Sequence, residues 1–202
     1  MELSGRGWYT RGYLPHFDSP EKIQSVTFRL YDAVPQQLLD CWKQELGWKS
    51  GLAQTDDRQV ELRRRLDKYE DAGYGQCWLR LESVAALVQN SLLFFDLQRY
   101  HLLGWTIMPN HVHVAIDPIA GHLLEDIVHS WKSYSALHAN RILQGKGKFW
   151  FREYYDRYIR DGTHLASILA YIDNNPVKAG LVSTAAEWRF GSAYQNRTRS
   201  VS

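Results

Sequence analysis

Residues 111–117 read His-Val-His-Val-Ala-Ile-Asp. His111, His113, Ala115 and Asp117 fall at odd positions, and Val112, Val114 and Ile116 at even ones. A period of two is the spacing of a β-strand, where successive side chains point to opposite faces. Pro109-Asn110, directly before, is a turn signal, and residues 100–108 are rich in β-formers. The two runs therefore predict a hairpin whose second strand buries Val112, Val114 and Ile116. Any fold this chain adopts must cover that apolar face while setting two imidazoles side by side on the other.

Other elements can be placed around the hairpin. Residues 24–30 (QSVTFRL) alternate as a first strand should. A helix is expected at 36–48, followed by a polar, charge-dense excursion at 49–77 that reads as an inserted helix and loop. Val84, Leu87, Val88, Leu92 and Phe95 recur at helical spacing within 81–99, as do the apolar residues of 123–143, closed by Gly145-Lys146-Gly147-Lys148. Residues 149–159 are aromatic and read as a fourth strand. Asp161 or Thr163 can cap a last helix, and Pro176 is expected to stop it. The order β-α-β-β-α-β-α, with its first crossover interrupted, predicts an α+β fold. It is a ferredoxin-like α/β sandwich with one antiparallel sheet and a charged helical insertion after the first strand. The 202 residues suit a single domain with its core at about 20–190, the insertion at 49–77 and a loose tail at 195–202.

Composition narrows the function. The chain is 45% hydrophobic, enough for a core, yet its longest greasy stretch is Leu92-Leu93-Phe94-Phe95, far short of a membrane span. Two cysteines, Cys41 and Cys77, cannot build a disulfide framework, and no signal peptide is legible, so a cytoplasmic home is expected. The net charge of +2 is unevenly spread: residues 1–140 carry 14 Lys/Arg against 17 Asp/Glu, and residues 141–202 carry 10 against 5. A basic C-terminal part fits a polyanion partner, although a solvated basic surface would look the same.

Two constellations carry chemistry. His111 and His113 can converge on one divalent metal; they can equally be hydrogen-bonded histidines without a ligand, and zinc is a possible metal for imidazole. In residues 163–175, a helical wheel puts Leu165, Ile168, Leu169 and Ile172 on one stripe. Tyr171 and Asn175, at i and i+4, share its edge. This pair reads either as a boundary tyrosine above a terminating Asn, or as a nucleophile beside a carboxamide ligand.

Taken together, the motifs resemble a known family. The segment 104–113 (GWTIMPNHVH) is similar to the His-hydrophobe-His signature of the HUH endonuclease superfamily. The segment 171–180 (YIDNNPVKAG) is similar to the tyrosine helix of the REP-associated tyrosine transposases, single-tyrosine enzymes of the insertion-sequence 200-like type. Residues 11–17 (RGYLPHF) and 154–161 (YYDRYIRD) share the resemblance, which spans most of 11–190 in order. It implies a metal-dependent endonuclease that cleaves and rejoins single-stranded DNA at palindromic hairpin repeats through a 5′-phosphotyrosine. Its nucleophile would be Tyr171. Its metal ligands would be His111, His113 and Asn175, with Asn175 where insertion-sequence relatives more often carry Gln. The cofactor implied is Mg²⁺ or Mn²⁺, which suits imidazole and oxygen donors without thiolate.

DNA contact is expected from Arg11 and, within residues 129–160, from Lys132, Lys146, Lys148, Arg152, Arg157 and Arg160, with Trp131 and Trp150 nearby for stacking. The partner is single-stranded or hairpin DNA, with no membrane, and the protein is a monomer or homodimer. Two other readings compete: a domesticated DNA-binding protein or nickase without transposition, and a zinc hydrolase that uses water in place of Tyr171.

Overall fold

A computed structural model describes residues 7–10, 15–18, 22–53 and 55–200, with side chains between 22 and 196. The central sheet has four strands: β3 (Gln24–Arg29), β4 (Tyr100–Ile107), β5 (His111–Pro118) and β6 (Tyr155–Tyr158). Their order is β4-β5-β3-β6 and every neighbouring pair is antiparallel. A separate two-stranded sheet pairs β1 (Gly7–Thr10) with β2 (Pro15–Asp18), a hairpin the sequence pattern did not suggest. The helices are α1 (Gln36–Glu45), α2 (Asp57–Asp71), α3 (Glu82–Leu93), α4 (Leu124–Ile142), α5 (Gly162–Lys178) and α6 (Ser192–Ser200). Within the core, β3-α3-β4-β5-α4-β6 is the ferredoxin-like order, with α1 and α2 inserted before α3. The expected fold class is the observed one.

The sheet is covered on both faces, which is why β5 is buried from His111 to Ile116 despite its alternation. Val26, Phe28, Val112, Val114 and Ile116 meet Val84, Val88 and Leu92 of α3 and Ile127, Val128 and Trp131 of α4. The indole of Trp131 stacks near Phe28, with ring centroids 6.4 Å apart. Side chains of this size each contribute about 1.5–3 kcal/mol when fully buried. Their polar ends are satisfied: Trp131 Nε1 donates to Tyr100 Oη at 2.8 Å, and Tyr100 Oη donates to the Leu92 carbonyl. The opposite face carries Thr27, Arg29, His111 and His113. It is covered by α5 and by the C-terminal part of α2, which has its own small apolar cluster of Leu62 and Leu66 with Leu39 of α1.

Several boundaries differ from expectation. The fourth strand is shorter than 149–159: only Tyr155–Tyr158 joins the ladder, and Trp150 makes an isolated bridge to Leu30. Residues 192–200 form a helix where a loose tail was expected from 195. Pro176 does not stop α5, which continues to Lys178. A proline this close to the end forfeits one backbone bond, to the Ile172 carbonyl, and the helix absorbs that loss. The true stop is Gly180 at φ +68°. Its N–H donates to the Val177 carbonyl, and the Leu181 N–H donates to the Pro176 carbonyl, both at 2.9 Å. This is a Schellman ending. Asn175 is therefore held inside a helical turn and not at a frayed end.

Candidate metal and tyrosine site

The site is assembled where α5 and α2 lie on the polar face of the sheet. Asp161 caps α5, accepting from the His164 N–H at 2.8 Å. Gly104 lets the helix come close: a Cβ there would stand 2.7 Å from Leu169 Cδ2. That approach sets Tyr171 and Asn175, one turn apart, against β5. The Tyr171 ring meets His113 edge to face with centroids 5.3 Å apart, and Asn175 Nδ2 lies 3.3 Å from His113 Nε2. His111, His113 and Asn175 are buried, while Tyr171 keeps about a third of its surface open. It lines a crevice with Asp67, Asp71 and Lys178.

Residues that the sequence did not single out orient the two imidazoles. Asn110 donates from Nδ2 to the Tyr74 carbonyl at 2.9 Å, so its Oδ1 is the atom that faces His111 Nδ1 at 2.7 Å. His111 then carries its proton on Nδ1 and presents the Nε2 lone pair inward. His113 Nδ1 lies 2.9 Å from Thr27 Oγ1, on the neighbouring strand in register with it. The two Nε2 atoms stand 3.0 Å apart. Burial is the main reason that His111 titrates low, at about 3, with Asp71 opposing and Arg63, Arg29 and Lys178 reinforcing. Burial also pulls His113 well below its ordinary value. Both imidazoles are therefore neutral at physiological pH. Burial pushes the Tyr171 phenol above its ordinary range, with Asp67 adding and Arg63 opposing. Asp67 itself is raised to about 6, chiefly by burial.

The donor set fits a divalent cation. Asn175 Oδ1 is buried without a hydrogen bond, as is Asp71 Oδ1. A 3.0 Å gap between imidazole nitrogens is what two adjacent ligands with bonds of about 2.1 Å would show. Among the described residues no three His, Cys, Asp or Glu side chains form a ready-made metal cluster, so the carboxamide matters to the set.

Residues 93–175 match the family model described as "Transposase IS200 like". The match covers 83 of the 202 residues, less than half of the chain. The matched segment runs from the end of α3 to Asn175 and holds His111, His113 and Tyr171. The chain is also similar to a solved structure of a REP-associated tyrosine transposase bound to a REP hairpin. That likeness has 14% identity, covers 96% of this chain and 87% of the other, and has a TM-score of 0.57. At that identity the likeness is one of fold. A protein of Deinococcus radiodurans R1, provisionally described as a transposase, aligns at 15% identity over 83% of this chain and 96% of its own, with a TM-score of 0.32, too low to argue from. No curated protein is significantly similar to the chain.

The expected DNA-contact residues are scattered. Lys146, Lys148, Arg152, Arg157 and Arg160 are exposed. Lys132 is half-buried, its ammonium donating to the carbonyls of Phe151 at 2.8 Å and Arg152 at 2.7 Å. Trp131 and Trp150 are core residues, 1% and 6% exposed, so neither offers a face for base stacking as the sequence suggested. Arg11 lies outside the described residues. No helix among them is long and apolar enough to cross a membrane.

Proposed function

We propose that this protein is an IS200-like transposase that cleaves and rejoins single-stranded DNA with Tyr171 as nucleophile, at a divalent cation held by His111, His113 and Asn175. The observation that carries the reading is the convergence on His113 of both helix residues: the Tyr171 ring at 5.3 Å and the Asn175 amide at 3.3 Å. A purely DNA-binding protein has no need of a buried pair of neutral imidazoles beside a half-open phenol. The basic loop and strand residues Lys146, Lys148, Arg152, Arg157 and Arg160 would neutralise phosphates. The REP hairpin bound by the structurally similar transposase makes a hairpin the natural substrate class here.

In the proposed reaction the Tyr171 oxygen attacks phosphorus in line, and the 3′ oxygen leaves with a proton from solvent. A 5′-phosphotyrosine and a free 3′-hydroxyl result. The phenol proton must depart first or concertedly, and burial makes that costly. Arg63, which lowers the phenol's titration point, offsets part of this cost. When bound, Mg²⁺ or Mn²⁺ would supply charge to the phosphate oxygens and orient the strand. Asn110 and Thr27 hold the imidazoles that would bind it. The bond energy conserved in the phosphotyrosine lets a second 3′-hydroxyl reclaim the phosphate without ATP.

The reading is tested by incubating the protein with end-labelled hairpin DNA and Mn²⁺ or Mg²⁺. A covalent protein–DNA adduct is expected, absent in Tyr171→Phe and His111→Ala. Metal-dependent cleavage with no adduct, retained in Tyr171→Phe, would point to water as nucleophile and contradict it.

A further inference from the structure

The charged insertion has no place in a minimal ferredoxin-like fold, yet its helix α2 reaches the site. Asp71, its last residue, places Oδ1 3.9 Å from His111 Nε2. Its other oxygen accepts from Lys178 Nζ of α5 at 2.8 Å, which fixes the carboxylate and leaves Oδ1 buried without a hydrogen bond. The neighbouring acids are already engaged: Glu70 faces Arg29 at 3.4 Å and Arg63 at 3.9 Å, and Asp67 pairs with Arg63. We propose that Asp71, which as placed does not yet form a three-residue cluster with His111 and His113, becomes a fourth protein ligand when the divalent cation binds, so that the insertion completes the metal site. This rests on the metal-site reading above.

Charge is the physical reason. Two neutral imidazoles and one amide oxygen bring no negative charge, while Arg29, Arg63 and Lys178 all act on His111. Glu70 and Asp67 already offset Arg29 and Arg63, so a divalent cation on three neutral donors would bring buried positive charge with no anion of its own, which is unfavourable. Hard cations such as Mg²⁺ and Mn²⁺ take carboxylate oxygens preferentially. The 3.9 Å between Oδ1 and His111 Nε2 is within the span of about 4.2 Å that two ligands with bonds of about 2.1 Å can bridge. Among the described residues around the imidazoles, Asp71 Oδ1 is the carboxylate oxygen that meets these conditions without breaking an existing ion pair.

The test is isothermal titration of the full chain, without DNA, by Mn²⁺ and separately by Cd²⁺. Asp71→Ala should weaken Mn²⁺ binding at least about tenfold. Asp71→Cys should stay weak for Mn²⁺ but bind Cd²⁺ at least about tenfold more tightly than Asp71→Ala does, since a thiolate ligand favours the softer ion. Cys41 and Cys77 are common to both variants and cancel in that comparison. Lys178→Met, which removes the ion pair but leaves the carboxylate, should bind Mn²⁺ within about threefold of the parent, and thermal unfolding checks that each variant folds. Unchanged Mn²⁺ affinity in Asp71→Ala, an equal loss in Lys178→Met, or no gain of Cd²⁺ affinity in Asp71→Cys would each overturn the assignment while leaving the His111/His113 site standing. If the His111→Ala/His113→Ala double variant binds Mn²⁺ as the parent does, the metal-site reading fails, and the role of Asp71 fails with it.

Discussion

The same strands face two very different environments. Toward α3 and α4, Val26, Phe28, Val112 and Val114 meet apolar helix faces, and the buried polar atoms of Tyr100 and Trp131 are paired. Toward α2 and α5, residues one position along those strands (Thr27, Arg29, His111 and His113) meet Glu70, Asp71, Tyr171 and Asn175, and several buried oxygens there make no hydrogen bond. Strand alternation thus sorts one segment into a side that holds the fold and a side that holds unsatisfied polar groups. Unpaired buried polar atoms cost stability, and a folded protein retains them where a ligand or substrate uses them.

Substitutions should separate the two sides. Phe28→Ala removes a ring packed on Trp131 and Trp150 and should cost about 3–5 kcal/mol in denaturant unfolding. Its counterpart across the sheet, Asn175→Leu, replaces a buried amide whose Oδ1 has no donor. It should leave stability within about 1 kcal/mol of the parent while abolishing adduct formation; equal stability losses for the two would collapse the contrast. Glu70→Ala removes a buried carboxylate that faces the Arg29 guanidinium at 3.4 Å and Arg63 at 3.9 Å. A loss of about 3 kcal/mol is expected, so the polar side is structurally inert only where its atoms are unpaired.

Acid sharpens the comparison. His111 titrates at about 3 in the folded protein, below its unfolded value of about 6.5. The unfolded chain therefore takes up the proton first. Stability from this residue is complete above pH 6.5 and is lost as pH falls toward 3, by up to about 1.4 kcal/mol per pH unit. His113 acts in the same direction. Unfolding free energies measured from pH 7 to pH 4.5 should fall in the parent and fall less in His111→Gln. The smallest effect is at the end of α5: Gly180→Ala places a side chain at φ +68° and should cost about 1 kcal/mol, read as a lowered Tm.

Much of this was legible in the sequence because it is carried by period. The alternation of 111–117 gave the strand, its two faces and the pairing of His111 with His113. The helical wheel of 163–175 put Tyr171 and Asn175 on one edge, as found. What escaped depends on contacts distant in sequence or on competing local rules. Asp71 stands 40 residues before His111 in a charged run whose surface and site residues look alike. Asn110 was read only as a turn former, and its side chain turned out to set the His111 tautomer. Pro176 reads as a helix stop by the local rule, although Gly180 supplies the αL ending a few residues later. Trp131 and Trp150 drew attention as aromatics among basic residues, and only their burial shows that they belong to the core.

The most direct measurement is to locate the DNA on the protein. After reaction with hairpin DNA and Mn²⁺, nuclease trimming and trypsin digestion would separate the tyrosines cleanly. Cleavage after Arg160 and Lys178 releases residues 161–178, in which Tyr171 is the sole tyrosine, while Tyr154 and Tyr155 leave on 153–157 and Tyr158 on 158–160. Mass spectrometry should find the nucleotide phosphate on 161–178. Its presence on either of the other peptides, in protein that cleaves DNA normally, would contradict Tyr171 as the nucleophile.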